Sequence, residues 1–261
     1  MIKFFRKIRY DLMGKNKTGK YFKYAIGEVV LVVIGILIAL QINNWNNRQN
    51  DRQLELKFLK GLKADLLYNI DGIDVFMEER KIKYTTAALL LDMNSRPNEI
   101  KLETIDSILW QVYSWRKFVP RTNVMDELIS SGNLSLIQND SIKALMQNIH
   151  QSYNLIDGNT EHMRREFDFY LYDRSAAIRE MFPLLDYKRS VEQNERMKKE
   201  FISVQDSIVY QNQAKKLLND LTFRNGLKFA VGNNNGLYER SSKLKQDMLL
   251  LIEKLESEIN K

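Results

Sequence analysis

Apolar residues run almost unbroken through "YAIGEVVLVVIGILIALQI" and then recur every third or fourth position along most of the remaining chain. The first pattern predicts a helix that is apolar all round. The second predicts long amphipathic helices. Leu59, Leu62, Leu66, Ile70, Ile73, Met77, Tyr84, Ala87 and Leu91 predict a helix over 46–93, with one gap in the stripe at Arg80. Pro97 and Asn98 mark a turn. Leu102, Ile105, Leu109 and Val112 predict a shorter helix at about 101–115, broken at Pro120. A stub at about 122–131 ends at Gly132, a candidate left-handed cap.

The cleanest periodicity lies in 140–182. Ile142, Ile149, Ile156, Met163, Tyr170 and Ala177 recur every seven residues, and Met146, Tyr153, Thr160, Phe167, Arg174 and Met181 fill the interleaved positions. Asp140 is the predicted cap and Pro183 the predicted stop. Thr160 and Arg174 dilute the stripe, which suits a bundle interior better than a strict two-stranded coil. Phe201, Val204, Ile208, Leu218 and Leu221 predict another inward face. A last stripe runs from Leu227 through Val231, Asn234, Leu237 or Tyr238, Ser241, Leu244, Met248, Leu251 and Leu255 to Ile259. "GNNNG" at 232–236 has the composition of a loop, yet the stripe keeps its phase across it. A break and a continuous helix both stay open. Long β alternation is missing from the pattern. The expected fold is all-α: a single N-terminal transmembrane helix continuing into an extracytoplasmic antiparallel bundle of long helices.

The first apolar run sets the topology. Tyr24 to Ile42 spans about 28 Å as a helix, which matches a hydrocarbon core. Twelve of its residues are Val, Ile or Leu. Ala39 with Leu37 two residues before it makes no cleavage site, so an uncleaved signal-anchor is expected. Charge supports the orientation. Eight of 40 Lys/Arg and one of 33 Asp/Glu lie in residues 1–24, so this tail carries the whole net charge of +7 and the rest balances to zero. The positive-inside rule then puts 1–23 in the cytoplasm, 24–43 in the inner membrane and 44–261 in the periplasm. Phe4, Phe5, Ile8 and Leu12 share one helical face among Lys3, Arg6, Lys7 and Arg9. That reads either as a helix lying on an anionic leaflet or as topology-setting cations. Because the body is neutral overall, bulk charge gives no support to nucleic-acid binding.

Three residues inside the span stand out. Glu28 is its one acid, read either as an ion-linked site or as a carboxylate near a helix N-terminus within reach of Lys20 and Lys23. Gly35 and Ala39 form a small-xxx-small pair that permits close approach of a second helix. "MIKFFRKIR" followed by "YAIGEVVLVVIGILIALQINNWN" resembles the N-terminus of a family of single-span Bacteroidota proteins of unknown function. "ELISSGNLSLIQNDSIKALM" resembles the same family more loosely. The resemblance implies an envelope protein of a Gram-negative cell with its body in the periplasm, and it assigns no catalytic residue.

Chemistry is sparse. The chain has no cysteine, which excludes disulfides and thiolate catalysis. His150 and His162 lie more than three turns apart along one predicted helix and cannot share a metal. No phosphate loop, HExxH or nucleophile elbow occurs. A catalytic role, a cofactor and a bound metal are therefore not expected. "WQVYSWRKFVPR" gathers Trp110, Tyr113, Trp115 and Phe118 beside Arg116, Lys117 and Arg121. It reads as a partner or ligand surface or as core aromatics under a loop. "FDFYLYDR" reads in the same two ways. The expected function is a non-catalytic, membrane-anchored periplasmic scaffold, with lipid and a protein partner or a second copy as its contacts. The alternative is a ligand-sensing bundle that signals through a partner.

Overall fold

In the computed structural model, residues 18–93, 102–181, 183, 185–186, 197–198 and 203–261 are described. Their regular elements are helices apart from a two-residue antiparallel ladder pairing Leu185–Asp186 with Met197–Lys198, and a loop covers 114–122. The helices are α1 (Thr18–Met93), α2 (Leu102–Tyr113), α3 (Asn123–Ser130), α4 (Asp140–Glu166), α5 (Asp173–Ile178), α6 (Val204–Asn219) and α7 (Leu221–Ile259). A 3₁₀ turn covers Asn133–Leu136, and a π-helical segment, Phe167–Tyr172, joins α4 to α5. The chain divides into two units, 1–57 and 58–261. The candidate surface helix at 1–13, the turn at Pro97 and Phe201 lie outside the described residues.

In the first unit, the apolar part of α1 has no cover among the described residues. Val29, Leu31, Ile36 and Ile42 each keep more than half of their surface exposed. It is a candidate membrane span. A Cβ built on Gly27 or Gly35 would meet nothing within 4 Å. Glu28 is half-buried. The helix is already formed at Thr18, roughly three turns before Glu28. The helix-terminus explanation for this acid is therefore corrected, because the dipole acts over the first turn only.

The second unit is organised by α1 beyond Phe58, α4 and α7. Asn139 donates to Glu258 at 3.2 Å, the Tyr153 hydroxyl to Met248 Sδ at 3.3 Å, and Asn233 to Glu166 at 2.6 Å, so α7 runs against α4. Lys63 with Glu256 at 2.8 Å and Lys245 with Asp74 at 2.6 Å set α7 against α1 as well. One apolar core joins Leu59, Leu66 and Ile73 of α1 to Ile142, Ile149 and Ile156 of α4 and Leu244, Met248 and Leu251 of α7. A second gathers Ala87 and Leu90 with α2, α6, Leu171 and Phe223.

Local chemistry fixes the helix starts. Asn139, not Asp140, caps α4: its side chain accepts from Ser141 N at 3.0 Å, and Asp140 is already helical. Asp220 caps α7 through Phe223 N at 2.9 Å and also holds Arg174, which keeps its carboxyl down at about 2. Gly132 takes φ 74, the left-handed turn that lets α3 end and the 3₁₀ turn begin.

Two expectations change, and one open alternative closes. The long helix from 140 does not run to Pro183. It opens into the π segment, whose wider turn takes up one extra residue. The buried positions then shift by one, to Leu171 and Ser175, while Tyr170 is half-buried and Ala177 exposed. Gly226 of α7 lies against this segment: a Cβ there would stand 2.6 Å from Tyr170 Cβ. In α6 the inward face is Ala214, Leu217 and Leu218, so Leu218 falls where expected while Val204 and Ile208 are exposed, as is Leu221 at the start of α7. Finally, α7 is continuous through "GNNNG". Its loop-like residues are used sideways: Asn233 reaches α4, and Asn234 bonds its own helix at Ala230 O (2.7 Å) and Arg80 of α1.

Candidate functional site

Beyond Asn69, the inward face of α1 reads Asn69, Ile73, Phe76, Arg80, Lys83, Ala87 and Leu90, steps of three and four that point at the core. The gap in the apolar stripe is thus a seam position that holds a cation, with a second cation one turn on. Arg80 is completely buried and Lys83 is 3% exposed.

Arg80 is well held. Its guanidinium lies 4.5 Å from the Phe76 ring centroid and 5.6 Å from that of Trp115. Nη1 donates to Asn234 Oδ1 at 3.2 Å and Nη2 to the Arg116 carbonyl at 2.8 Å. Nε is buried with no acceptor among the described residues. Burial pulls its pKa down to about 10, against the pull of Glu79.

Among the described residues Lys83 is held by aromatic faces and by the charge of Glu79. Its Nζ is 5.4 Å from the Trp115 centroid and 5.9 Å from that of Phe167, and it has no hydrogen-bond acceptor among the described residues. Burial first and then Arg80, against the pull of Glu79, bring its pKa down to about 7. Beside it lies a cavity of about 20 Å³ lined by Lys83, Trp115, Phe167, Glu166, Asn233 and Asn234, among others. That is room for one or two water-sized molecules. Glu166 accepts from Asn233 and stands 3.3 Å from His162 Nε2. Glu79 takes Arg116 Nε at 2.8 Å and keeps its other oxygen buried.

The aromatic cluster of 110–121 is divided among separate jobs. Trp115, half-buried, roofs the two cations. Arg116 is exposed, pairs with Glu79 and lends its carbonyl to Arg80. Arg121 lies over the Tyr68 ring at 3.9 Å, and its backbone N–H and C=O both bond the Asn69 amide, at 2.7 and 2.9 Å. Trp110 is half-buried and lies apart from the cavity. Tyr113 is buried, so it lines no outer surface: its hydroxyl meets Ser175 Oγ, and burial raises its pKa. Nearby, Arg179 and Asp106 form a buried ion pair. Phe118 packs on Phe76 and Tyr153 at 5.9 and 6.0 Å. In the π segment Phe167 faces inward and Phe169 is 63% exposed. Among the described residues, no three His, Cys, Asp or Glu side chains gather as a metal site.

Sequence reasoning noticed Arg80 as a gap and Asn234 as a polar residue on the last stripe, but did not join them. The signal was there: two seam positions without apolar side chains, on helices that meet.

These features define an all-helical protein with one candidate membrane helix and a buried cationic cavity in its body. A family model matches residues 28–167, more than half of the chain, and the protein belongs to that group, the Family of unknown function (DUF6090). No curated protein and no solved structure matches the chain.

Proposed function

We propose that the protein is a non-catalytic, membrane-anchored scaffold of the cell envelope. Its tail lies in the cytoplasm, Tyr24–Asn43 crosses the inner membrane, and the body stands in the periplasm as an antiparallel bundle that engages a protein partner or a second copy. The observation that carries this reading is the bare apolar stretch of α1. Side chains such as Val29 and Ile36 stay mostly exposed among the described residues, and lipid is the solvent that suits them. The basic tail supplies the orientation. The envelope setting and the Bacteroidota origin come from the N-terminal resemblance. Nucleic acid has no place in this reading, since the body is neutral overall.

Crosslinking in cells, followed by pull-down of the tagged full chain from membranes, tests it. Discrete crosslinked species, either a partner of the envelope or a dimer, are expected. Recovery of only uncrosslinked chain, or of cytosolic ribonucleoprotein, would oppose the proposal.

A second reading is favoured by one feature, a Lys83 with no hydrogen-bond acceptor among the described residues, beside its cavity. A body that senses a small ligand and signals through a partner would use such a site. Thermal-shift screening of the full chain against envelope metabolites separates the two, because a scaffold gains no reproducible stabilisation from a small molecule.

A further inference from the structure

The cavity beside Lys83 lacks one chemical component. Two buried cationic donors, Lys83 Nζ and Arg80 Nε, sit one turn apart on α1 with no acceptor among the described residues. A buried donor left without an acceptor costs about 1–3 kcal/mol, more when it is charged. An acceptor group that completes the site must be small, since the space is about 20 Å³. It must also sit among Trp115, Phe167, Val112 and Met163, a mostly apolar wall. A hydrated anion meets that wall poorly, because it would shed its water first. A neutral, apolar molecule that becomes an anion only after arrival meets both demands.

We propose that Lys83 is a carbon dioxide site, at which the side-chain amine adds CO₂ to form a carbamate. The balance is simple. The lone pair of the unprotonated Nζ attacks the carbon, and a C–N bond forms. One C=O π pair moves onto oxygen, and one N–H proton leaves. Amine and CO₂ give carbamate and H⁺, with nothing oxidised or reduced. Two carboxylates are placed to take that proton toward solvent: Glu79, which interacts electrostatically with Lys83, and Glu166 on the cavity wall. The product carries two oxygens and a negative charge, so it replaces an amine whose proton Arg80 disfavours with an anion that Arg80 favours. The charged groups facing the site are Arg80 and Glu79 from α1, Arg116 through its pair with Glu79, and Glu166 with His162 from α4. From α7 the site receives the amides Asn233 and Asn234. A Lys83 amine that loses its proton at about 7 is reactive near neutrality, whereas exposed lysines are almost wholly protonated there.

The full chain in detergent micelles is equilibrated with isotope-labelled bicarbonate, and carbamates are trapped by O-alkylation and located by mass spectrometry. The expected result is a trapped adduct on Lys83 at least about tenfold above that on the exposed Lys243. At fixed dissolved CO₂ its occupancy rises from about pH 6 to about pH 8. Lys83→Met removes the adduct and leaves the low background on exposed lysines such as Lys243 in place. Should that variant fail to fold, the site-resolved trapping on the unaltered chain still decides. The proposal falls if Lys83 carries no adduct, if its adduct matches that of Lys243, or if labelled bicarbonate is retained without a covalent bond.

Discussion

Arg80 and Lys83 stand where the repeat of α1 asks for apolar side chains, and they are unequal. Arg80 has two hydrogen bonds and two ring faces, while Lys83 has ring faces and no hydrogen-bond acceptor among the described residues. The Lys83 pKa of about 7 against an ordinary 10.5 makes it a destabilising group near neutrality. The sign follows from proton linkage. Below about 7 both states hold the proton and the penalty is full. Between about 7 and 10.5 the unfolded chain binds a proton that the folded one does not, so stability rises with pH. Lys83→Met is expected to stabilise the protein by about 2–4 kcal/mol at about pH 6, with the gain shrinking toward pH 10. Thermal unfolding of both chains across that range is the check, and a pH-independent difference would contradict it. The Asp106–Arg179 pair gives the opposite case. Both groups are buried, and Asp106→Ala leaves the guanidinium uncompensated, so a loss of about 3–5 kcal/mol is expected in denaturant titrations.

Among the elements, the π segment Phe167–Tyr172 makes the sharpest demands. It shifts the buried face by one residue, and it brings Tyr170 and Leu171 against Gly226. Gly226→Ala would gain about 1 kcal/mol of helix propensity. It would also put a methyl group 2.6 Å from Tyr170 Cβ, and α7 or the π segment must then move. The clash wins, and a net loss of about 1–3 kcal/mol is expected. Deleting the exposed Phe169 tests the phase argument. It would put Leu171 and Ser175 back on the seven-residue repeat set by Ile142 and Met146. Cooperative unfolding and helical circular dichroism should survive. A deletion of Leu145, inside α4, should abolish both.

The same elements show what the sequence disclosed. The stripes of α1, α4 and α7 were legible because a helix buried on one face repeats every three or four residues, and Leu62, Ile149 and Leu251 fall where the pattern put them. Phase continuity through "GNNNG" outweighed its loop-like composition, because Asn233 and Asn234 have partners on neighbouring helices. The π insertion was not legible. Tyr170 and Leu171 are both apolar neighbours, so a slip of one residue leaves the pattern looking intact. The inward face of α6 was misread because only its C-terminal half packs, through Ala214, Leu217 and Leu218. The cavity was half legible. A cation in an apolar stripe is visible, but which loop roofs it depends on how Trp115 returns to α1.

For the protein in its cellular setting, the decisive feature is the bare apolar stretch. Ile34→Arg places a charge near the middle of the run and should cost insertion about 2.5–3.5 kcal/mol, read as protein lost from the carbonate-washed membrane fraction. The absence of native cysteines makes topology directly measurable. A single cysteine placed at Lys243 or at Lys7 can be probed with a membrane-impermeant maleimide in intact spheroplasts. The account predicts labelling at Lys243→Cys without lysis and labelling at Lys7→Cys only after it. The reverse pattern, or labelling of neither until lysis, would contradict an anchored protein with its body outside the cytoplasm.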